Sequence, residues 1–523
     1  MNMGGEMTGG SLTITEELLF ARGFALYPSH ASLSHNVWDE LSSWKKQDIN
    51  GYIVRSHPNA TVFISACQTD AAILVGNAVN PFTGEVEQEI VDHFLEQEGG
   101  VLESGKLRTE IIDYVDQLTG RFQLFLIENG AICALCDATA LAPLYYYQQD
   151  EHYCFASHAQ LLAELVGSER DENLQEIIDA AFYTVGRRHL PGYKRPFKGL
   201  ELVGANVYFS SLLKKRIRIF PREPLDRDSR TFSEVVDDSA TILKKTADLY
   251  FSSRSVLVSL SLGQDSRISL SAFHEWRQKV EAYSYCGNPV ETAEAKQVHE
   301  FAQKLGVQHH IIDIESVSTD EASELAAVLD RTTAFLRKHK TSELKKLVAM
   351  KRWFPQGALE IKGEASEVGR ATYSKRSGIT NFPKLDARAM SNLYKRVLYP
   401  RHLLKRIDGY FEEFKAKGEF GFSSLGYDDY DLFFWEHRTG CCVSLGMQDH
   451  DIYHDSTAIM NNRILLKNFL LPSFEDRLND RLHQAVCEKL WPGVLDTPTS
   501  KRTSMKGRLK VLVEHIFFRV NRF

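Results

Sequence analysis

The chain has 523 residues and a mass of 59.4 kDa, more than one hydrophobic core usually organises, so two or three domains are expected. With 43% hydrophobic and 25% charged residues and 15 prolines it is neither disordered nor collagen-like. A net charge of -7 excludes a general attraction to phosphate backbones or anionic lipid.

The N-terminal stretch Met1 to Ser11 is rich in Gly and Met and lacks the charged start and apolar core of a secretion leader. No apolar run of about 18 residues follows. The expectation is a cytoplasmic protein without membrane or nucleic-acid partners. The closest candidate for a local basic patch is Lys501, Arg502, Lys506, Arg508 and Lys510, which suits a solvated helix face as well as a functional patch. Eight cysteines are too few for a disulfide framework in so long a chain. Cys133 and Cys136 lie in a strand-like run whose period of two points them to opposite faces, so they read as reduced core residues.

From Gly23 to Ser210 short strands follow one another, among them Thr61 to Ala66, Phe122 to Ile127, Ile132 to Leu135 and Cys154 to Ala156. The Pro- and charge-rich stretch PREPLDRDSR, 221 to 230, loses periodicity and marks a boundary between 1–222 and 223–523. Beyond it, helical segments separate isolated apolar strands at Val256 to Leu260, Val280 to Tyr285, His310 to Ile314 and Leu359 to Ile361. That alternation predicts a parallel α/β sheet. Ala295, Val298, Ala302 and Leu305, at steps of three and four, form one apolar helical stripe, and the chain from Leu393 onward reads as mostly helical.

The segment VLVSLSLGQDSR, 256 to 267, runs an apolar strand into a Ser/Gly loop that opens a helix near Asp265. Backbone N–H groups and the positive end of the helix dipole there suit a phosphate, and Ser261 and Ser266 add hydroxyls. A bare phosphate would be repelled by Asp265, so a Mg2+ bridging the carboxylate and the phosphates is the expected ligand.

This loop resembles the Ser-Gly-Gly-x-Asp-Ser signature of the ATP-pyrophosphatase superfamily, which includes asparagine synthetases, β-lactam synthetases and lasso-peptide cyclases. Ser261, Gly263, Asp265 and Ser266 match it, and Leu262 stands where the family has its first glycine. About 100 residues on, Gly363-Glu364-Ala365-Ser366-Glu367 resembles the Gly-Glu-Gly-Ala/Ser-Asp stretch of the asparagine synthetases, with Glu367 in place of the usual Asp. The resemblance implies that Leu260, Ser261, Gly263, Gln264, Asp265, Ser266, Arg267 and Gly363 bind ATP. It implies that Asp265 and Glu367 hold Mg2+ and that Glu364 is catalytic. A lysine near the C-terminus completes the family's phosphate site, for which Lys501 is the best match and Lys506 a competitor.

Smaller matches surround these. Lys304-Leu305-Gly306 with His309-His310 resembles the end of the family's second strand-helix unit, although the two histidines can equally cap and pack. Trp435-Glu436-His437-Arg438 and Asn461-Asn462-Arg463 resemble elements of asparagine-synthase-related proteins of polysaccharide gene clusters. Arg267, Arg370, Arg438 and Arg463 can each hold a carboxylate or phosphate, or serve a structural ion pair.

In the first half, Gly120-Arg121-Phe122, Asp137, Pro143-Leu144-Tyr145-Tyr146, Phe155-Ala156-Ser157, Leu161-Leu162 and Phe197-Lys198-Gly199-Leu200 resemble the class II glutamine amidotransferase domain. That implies an N-terminal-nucleophile α+β sandwich in front of the α/β ATP-pyrophosphatase domain. Its nucleophile would be an N-terminal cysteine activated by its own α-amine. Here the chain reads Met1-Asn2-Met3-Gly4 and its first cysteine is Cys67, so no glutaminase activity is expected.

Together the resemblances imply a ligase that adenylates a small-molecule carboxylate with ATP, releases pyrophosphate and passes the acyl group to an amine. An amine on a second substrate is favoured over free ammonia, a sugar uronate or amino acid is a candidate carboxylate, and a homo-oligomer is left open. A degenerate homologue that only binds or scaffolds is the competing reading. A tRNA thiolase or lysidine-type ligase would share the adenylation chemistry, but the amidotransferase-like first half argues against it.

Overall fold

The structure is a computed structural model and describes residues 17–34, 36–186, 188–394 and 399–497. The first half forms strands β1 (Phe24–Pro28), β2 (Lys45–Ile49), β3 (Tyr52–Ser56), β4 (Val62–Ala66), β5 (Ala71–Val79) and a small hairpin, β6 (Leu102–Glu103) and β7 (Lys106–Leu107). It continues with β8 (Thr119–Glu128), β9 (Ala131–Cys136), β10 (Tyr145–Gln149), β11 (His152–Ala156), β12 (Glu201–Leu202), β13 (Val207–Ser210) and β14 (Lys215–Arg218). Two six-stranded antiparallel sheets result, with orders β12-β10-β11-β1-β3-β2 and β14-β13-β9-β8-β5-β4. They pack face to face through aromatic side chains, with Phe24 and Phe155 of one sheet each 5.5 Å from Phe125 of the other and Tyr146 4.4 Å from Phe209. Covered on both faces, β8 and β5 are buried along almost their whole length, whereas the exposed edge strand β2 is Lys-Lys-Gln-Asp-Ile, a charged edge that resists further pairing. Cys133 and Cys136 on β9 are buried free thiols, as their position in an apolar strand predicts.

After the irregular stretch around 221 to 230, the helix Phe232–Ser253 starts at a capping box, in which Thr231 accepts from the Glu234 amide. Strands β15 (Val256–Ser259), β16 (Glu281–Cys286), β17 (Gln308–Asp313), β18 (Leu359–Ile361) and β19 (Asp455–Thr457) form a parallel sheet of order β17-β16-β15-β18-β19. The first four agree with the expected positions. The fifth lies within the mostly helical C-terminal third and is not among the expected strands: Asp-Ser-Thr is too short and too polar to show a period, and it becomes a strand by pairing with β18.

The order has a consequence for function. From β15 the chain builds outward through β16 and β17, then returns to add β18 and β19 on the other side, so the loops leaving β15 and β18 depart in opposite senses. Open α/β sheets bind ligands at such a switch point, outside the carboxyl ends of the strands.

The hydrophobic core does not divide where the chain does. The cluster that fills the sandwich continues through Leu385, Phe411, Phe433, Trp435 and Leu466. Trp435 is fully buried and donates its indole N–H to the Ala138 carbonyl at 2.8 Å. Arg121 on β8 grips Asp451 with two guanidinium nitrogens, and Asn461 donates to Asp137 at 2.7 Å while accepting from the Thr139 hydroxyl at 2.8 Å. Among the described residues no helix is long and apolar enough to cross a membrane.

Candidate active site

The loop Leu260 to Gly263 leaves the end of β15, and the helix Gln264–Ser271 follows with Gly263 at its N-cap. The two serines first serve the loop itself. Ser266 Oγ accepts from the Ser261 amide at 3.0 Å and donates to the Ser261 carbonyl at 2.9 Å, while Ser261 Oγ accepts from the Gly263 amide at 3.1 Å. Leu262 is buried in the second core cluster and is not among the residues with positive φ, so the loop does not require glycine freedom there.

The second loop leaves β18 and comes into contact with the first. At Gly363 a Cβ would lie 2.9 Å from the Asp265 carbonyl carbon and 3.0 Å from the Ser266 nitrogen, so only glycine permits the approach. Ser366, fully buried, donates to Asp265 Oδ1 at 2.6 Å, and its own carbonyl accepts from His483 Nε2 at 2.7 Å. Arg370 then pairs with Asp265 and, at 2.7 and 3.0 Å, with Asp480, which also holds Lys375. Glu367 pairs with Arg376 at 2.7 Å. Burial raises the Asp265 pKa, opposed by Arg370 and reinforced by Glu367. Burial likewise raises that of Glu364, opposed by Lys362 and reinforced by Glu367 and Asp265.

Between these loops and the end of β16 lies a cavity of about 530 Å3 that brings together Leu260, Ser261, Asp265, Ser266, Gly363, Glu364 and Glu367. Of the residues expected to bind nucleotide, Gln264 and Arg267 contribute no side chain to it. Gln264 points to Cys487 Sγ at 3.7 Å. Arg267 is fully buried, its guanidinium 4.8 Å over the Phe301 ring and donating to the Val494 and Thr497 carbonyls. Arg463 is likewise structural, paired with Asp116 at 2.8 Å. His309 and His310 pack and pair locally, with Ser284 at 2.7 Å and Glu281 at 2.6 Å. Lys501 and Lys506 lie outside the described residues, as do Met1 to Gly4, and Cys67 is exposed in the turn after β4.

A second cavity of about 550 Å3 shares Tyr285, Glu291, Glu364 and Glu367 with the first, and its remaining wall brings four cations, Arg337, Lys346, Lys362 and Arg438, beside the carboxylates of Glu343 and Asp449. Of the two it is the cation-lined cavity, because among the described residues the first has no Lys or Arg in its lining. Sequence reasoning missed most of this wall. Tyr285 stands at the end of β16 and Glu291 just beyond it, as the Ser/Gly loop stands beyond β15, so the strand-end rule could have found them. Lys346, on the helix Thr341–Trp353, carried no signal. Arg337 pairs with Asp449 at 2.8 Å and Lys362 with Glu360 at 2.9 Å. Lys346 sits 3.7 Å over the Tyr285 ring and thereby lowers the pKa of that hydroxyl. Arg438 bonds Cys442, so among the described residues neither Lys346 nor Arg438 is committed to a carboxylate.

The donor set fits a nucleotide carried with a hard cation. Five carboxylates line the 530 Å3 cavity, namely Asp265, Glu291, Glu294, Glu364 and Glu367, and a polyphosphate can enter only if a cation offsets them. Oxygen donors from two adjoining loops are what Mg2+ takes, and the volume lies within the about 300–1,000 Å3 of small-molecule sites.

No family model matches the chain, and no curated protein matches it. Among solved structures it is similar to the allosteric regulatory enzyme of purine biosynthesis, at 12% identity over 63% of this chain and 89% of that one, with a TM-score of 0.25. It is similar to the glutamine phosphoribosylpyrophosphate amidotransferase of B. subtilis complexed with ADP and GMP, at 12% identity over 63% and 90%, with a TM-score of 0.24. Likeness at that level carries no argument about function.

Proposed function

We propose that the chain is an ATP-dependent, amide-forming ligase of the asparagine-synthetase type, its first half acting as a docking partner. The observation that carries this reading is the meeting of the two motif loops at the switch point between β15 and β18. There Glu364 lies at the junction of a cavity lined by carboxylates and, among the described residues, by no Lys or Arg, and a second whose wall also carries Arg337, Lys346, Lys362 and Arg438.

ATP, as substrate, occupies the carboxylate-lined side, with the N-terminal amides of the helix Gln264–Ser271 facing its phosphates. When bound, Mg2+ held by Asp265 and Glu367 offsets the charge of the pyrophosphate. The acyl substrate enters the other side, where Lys346 and Arg438 attract its carboxylate. A carboxylate oxygen attacks the α-phosphorus, the bond to the β-phosphate oxygen breaks and pyrophosphate leaves. An amine then attacks the acyl carbon, Glu364 takes its proton, and AMP departs from the amide.

The second reading, a binding protein without turnover, is favoured by one observation: Asp265 and Glu367 are each already neutralised by an arginine. Pyrophosphate release from ATP and Mg2+ across a panel of carboxylates and amines decides between them. Release that is lost in Asp265→Ala supports the ligase. ATP that neither turns over nor binds by calorimetry sinks it.

A further inference from the structure

On β18, two residues before the Lys362 turn, Glu360 is completely buried. Its two carboxylate oxygens have different surroundings. One is held by the Tyr283 hydroxyl and by Lys362 Nζ at 2.9 Å. The other faces two imidazoles, His454 Nε2 at 2.7 Å and His450 Nδ1 at 3.8 Å. One ligand atom from each of Glu360, His450 and His454 lies within 4.8 Å of the others. The His454 ring is fixed by stacking on Phe354, 4.1 Å between centroids and 15° from parallel. Among the described residues the buried Nδ1 atom of His450 has no hydrogen-bond partner, which is costly unless something occupies it.

We propose that Glu360, His450 and His454 bind a divalent d-block cation, Zn2+ in the first instance. Two imidazole nitrogens and one carboxylate oxygen are the three-ligand set that Zn2+ takes when its fourth position is left open, whereas Mg2+ prefers oxygen donors throughout. The carboxylate has the outer partners such sites need, since Tyr283 and Lys362 hold its other oxygen and orient it. The contact between His454 and Glu360 must widen by about half an ångström to admit bonds of about 2.0–2.1 Å, and the metal replaces the proton the two groups share. His450 and Lys362 also line the cation-lined cavity, so the open position faces substrate space. The site does not depend on the adenylation reading: it uses neither motif loop and would persist in a protein that binds no ATP.

The test is calorimetry of the full-length, chelator-treated protein with ZnCl2, with MgCl2 as the comparison, and absorption spectra with Co2+ in its place. Wild type takes up one equivalent of Zn2+, more tightly as pH rises because protons are displaced. His450→Ala, which leaves the Glu360–His454 pair intact, loses at least about tenfold in affinity. Cys67→Ser removes the exposed thiol and keeps the equivalent. Ligand-field bands of Co2+ in wild type, absent in His450→Ala, report imidazole ligation directly. The proposal is overturned if wild type shows no saturable Zn2+ binding, or if His450→Ala and His454→Ala, folded by circular dichroism, bind it as wild type does.

Discussion

Gly363 and Glu364 are adjacent, yet the site and the stability of the fold agree at the first and conflict at the second. An alanine at 363 would place its methyl group against the Asp265–Ser266 peptide, backbone that cannot rotate away. Gly363→Ala should therefore cost about 1–3 kcal/mol in urea denaturation and push the loops apart, with pyrophosphate release falling alongside. Glu364 carries the opposite sign. Its folded pKa is raised above the ordinary value of 4.5, so the native state holds the proton more tightly than the unfolded chain. Its contribution is favourable below pH 4.5, and stability is lost as pH rises through the raised value. Glu364→Gln should thus melt at a higher temperature than wild type near neutral pH, the gap closing as pH falls below about 4.5, while amide formation is abolished. A wild type as stable as the variant at pH 7.5 would show that the carboxylate is not desolvated.

At the scale of elements, the site depends on two irregular backbones. The turn after β18 holds Ala365 at φ +68°, in the left-handed region that favours glycine. Ala365→Gly should be neutral or stabilising by up to about 1 kcal/mol, whereas Ala365→Val should destabilise by more than Gly363→Ala does, because a branched side chain fits that region worst. Equal midpoints for the two Ala365 variants would contradict the strain. The other is the continuous helix from Asp429 to His450, whose middle, Phe434–Val443, is a π-helix. Ten residues of wide turn are rare and cluster at functional sites. Here they carry Arg438 and Cys442 to the cation-lined cavity, and the last α-helical turns bring Asp449 and His450.

For the whole molecule, the continuity of the core predicts how it unfolds. Trp435, Asn461 and Arg463, from the two later sequence motifs, join the two halves through buried hydrogen bonds. Fluorescence and near-ultraviolet circular dichroism should therefore report one coincident transition for both halves. Asn461→Ala should cost about 1–3 kcal/mol, since it strips a donor from the buried Asp137 carboxylate. Separate melting of the sandwich would refute that coupling.

Much of this was legible in the sequence, because local physics decided it. Period-two runs became the antiparallel strands, apolar runs followed by turn residues became four of the parallel strands, and the Ser/Gly loop announced itself by composition, whereas the Gly-Glu-Ala-Ser-Glu loop stood out only by resemblance. What sequence order cannot encode is which distant segments meet. The strand order that sets the two loops side by side, the short β19, and the burial of Arg267 over Phe301 rather than beside the cavity all follow from packing between residues far apart in the chain. The cation-lined wall and the Glu360–His450–His454 cluster belong to that second kind. Their members come from separate elements, and only the closed tertiary structure brings their charges within ångströms of one another.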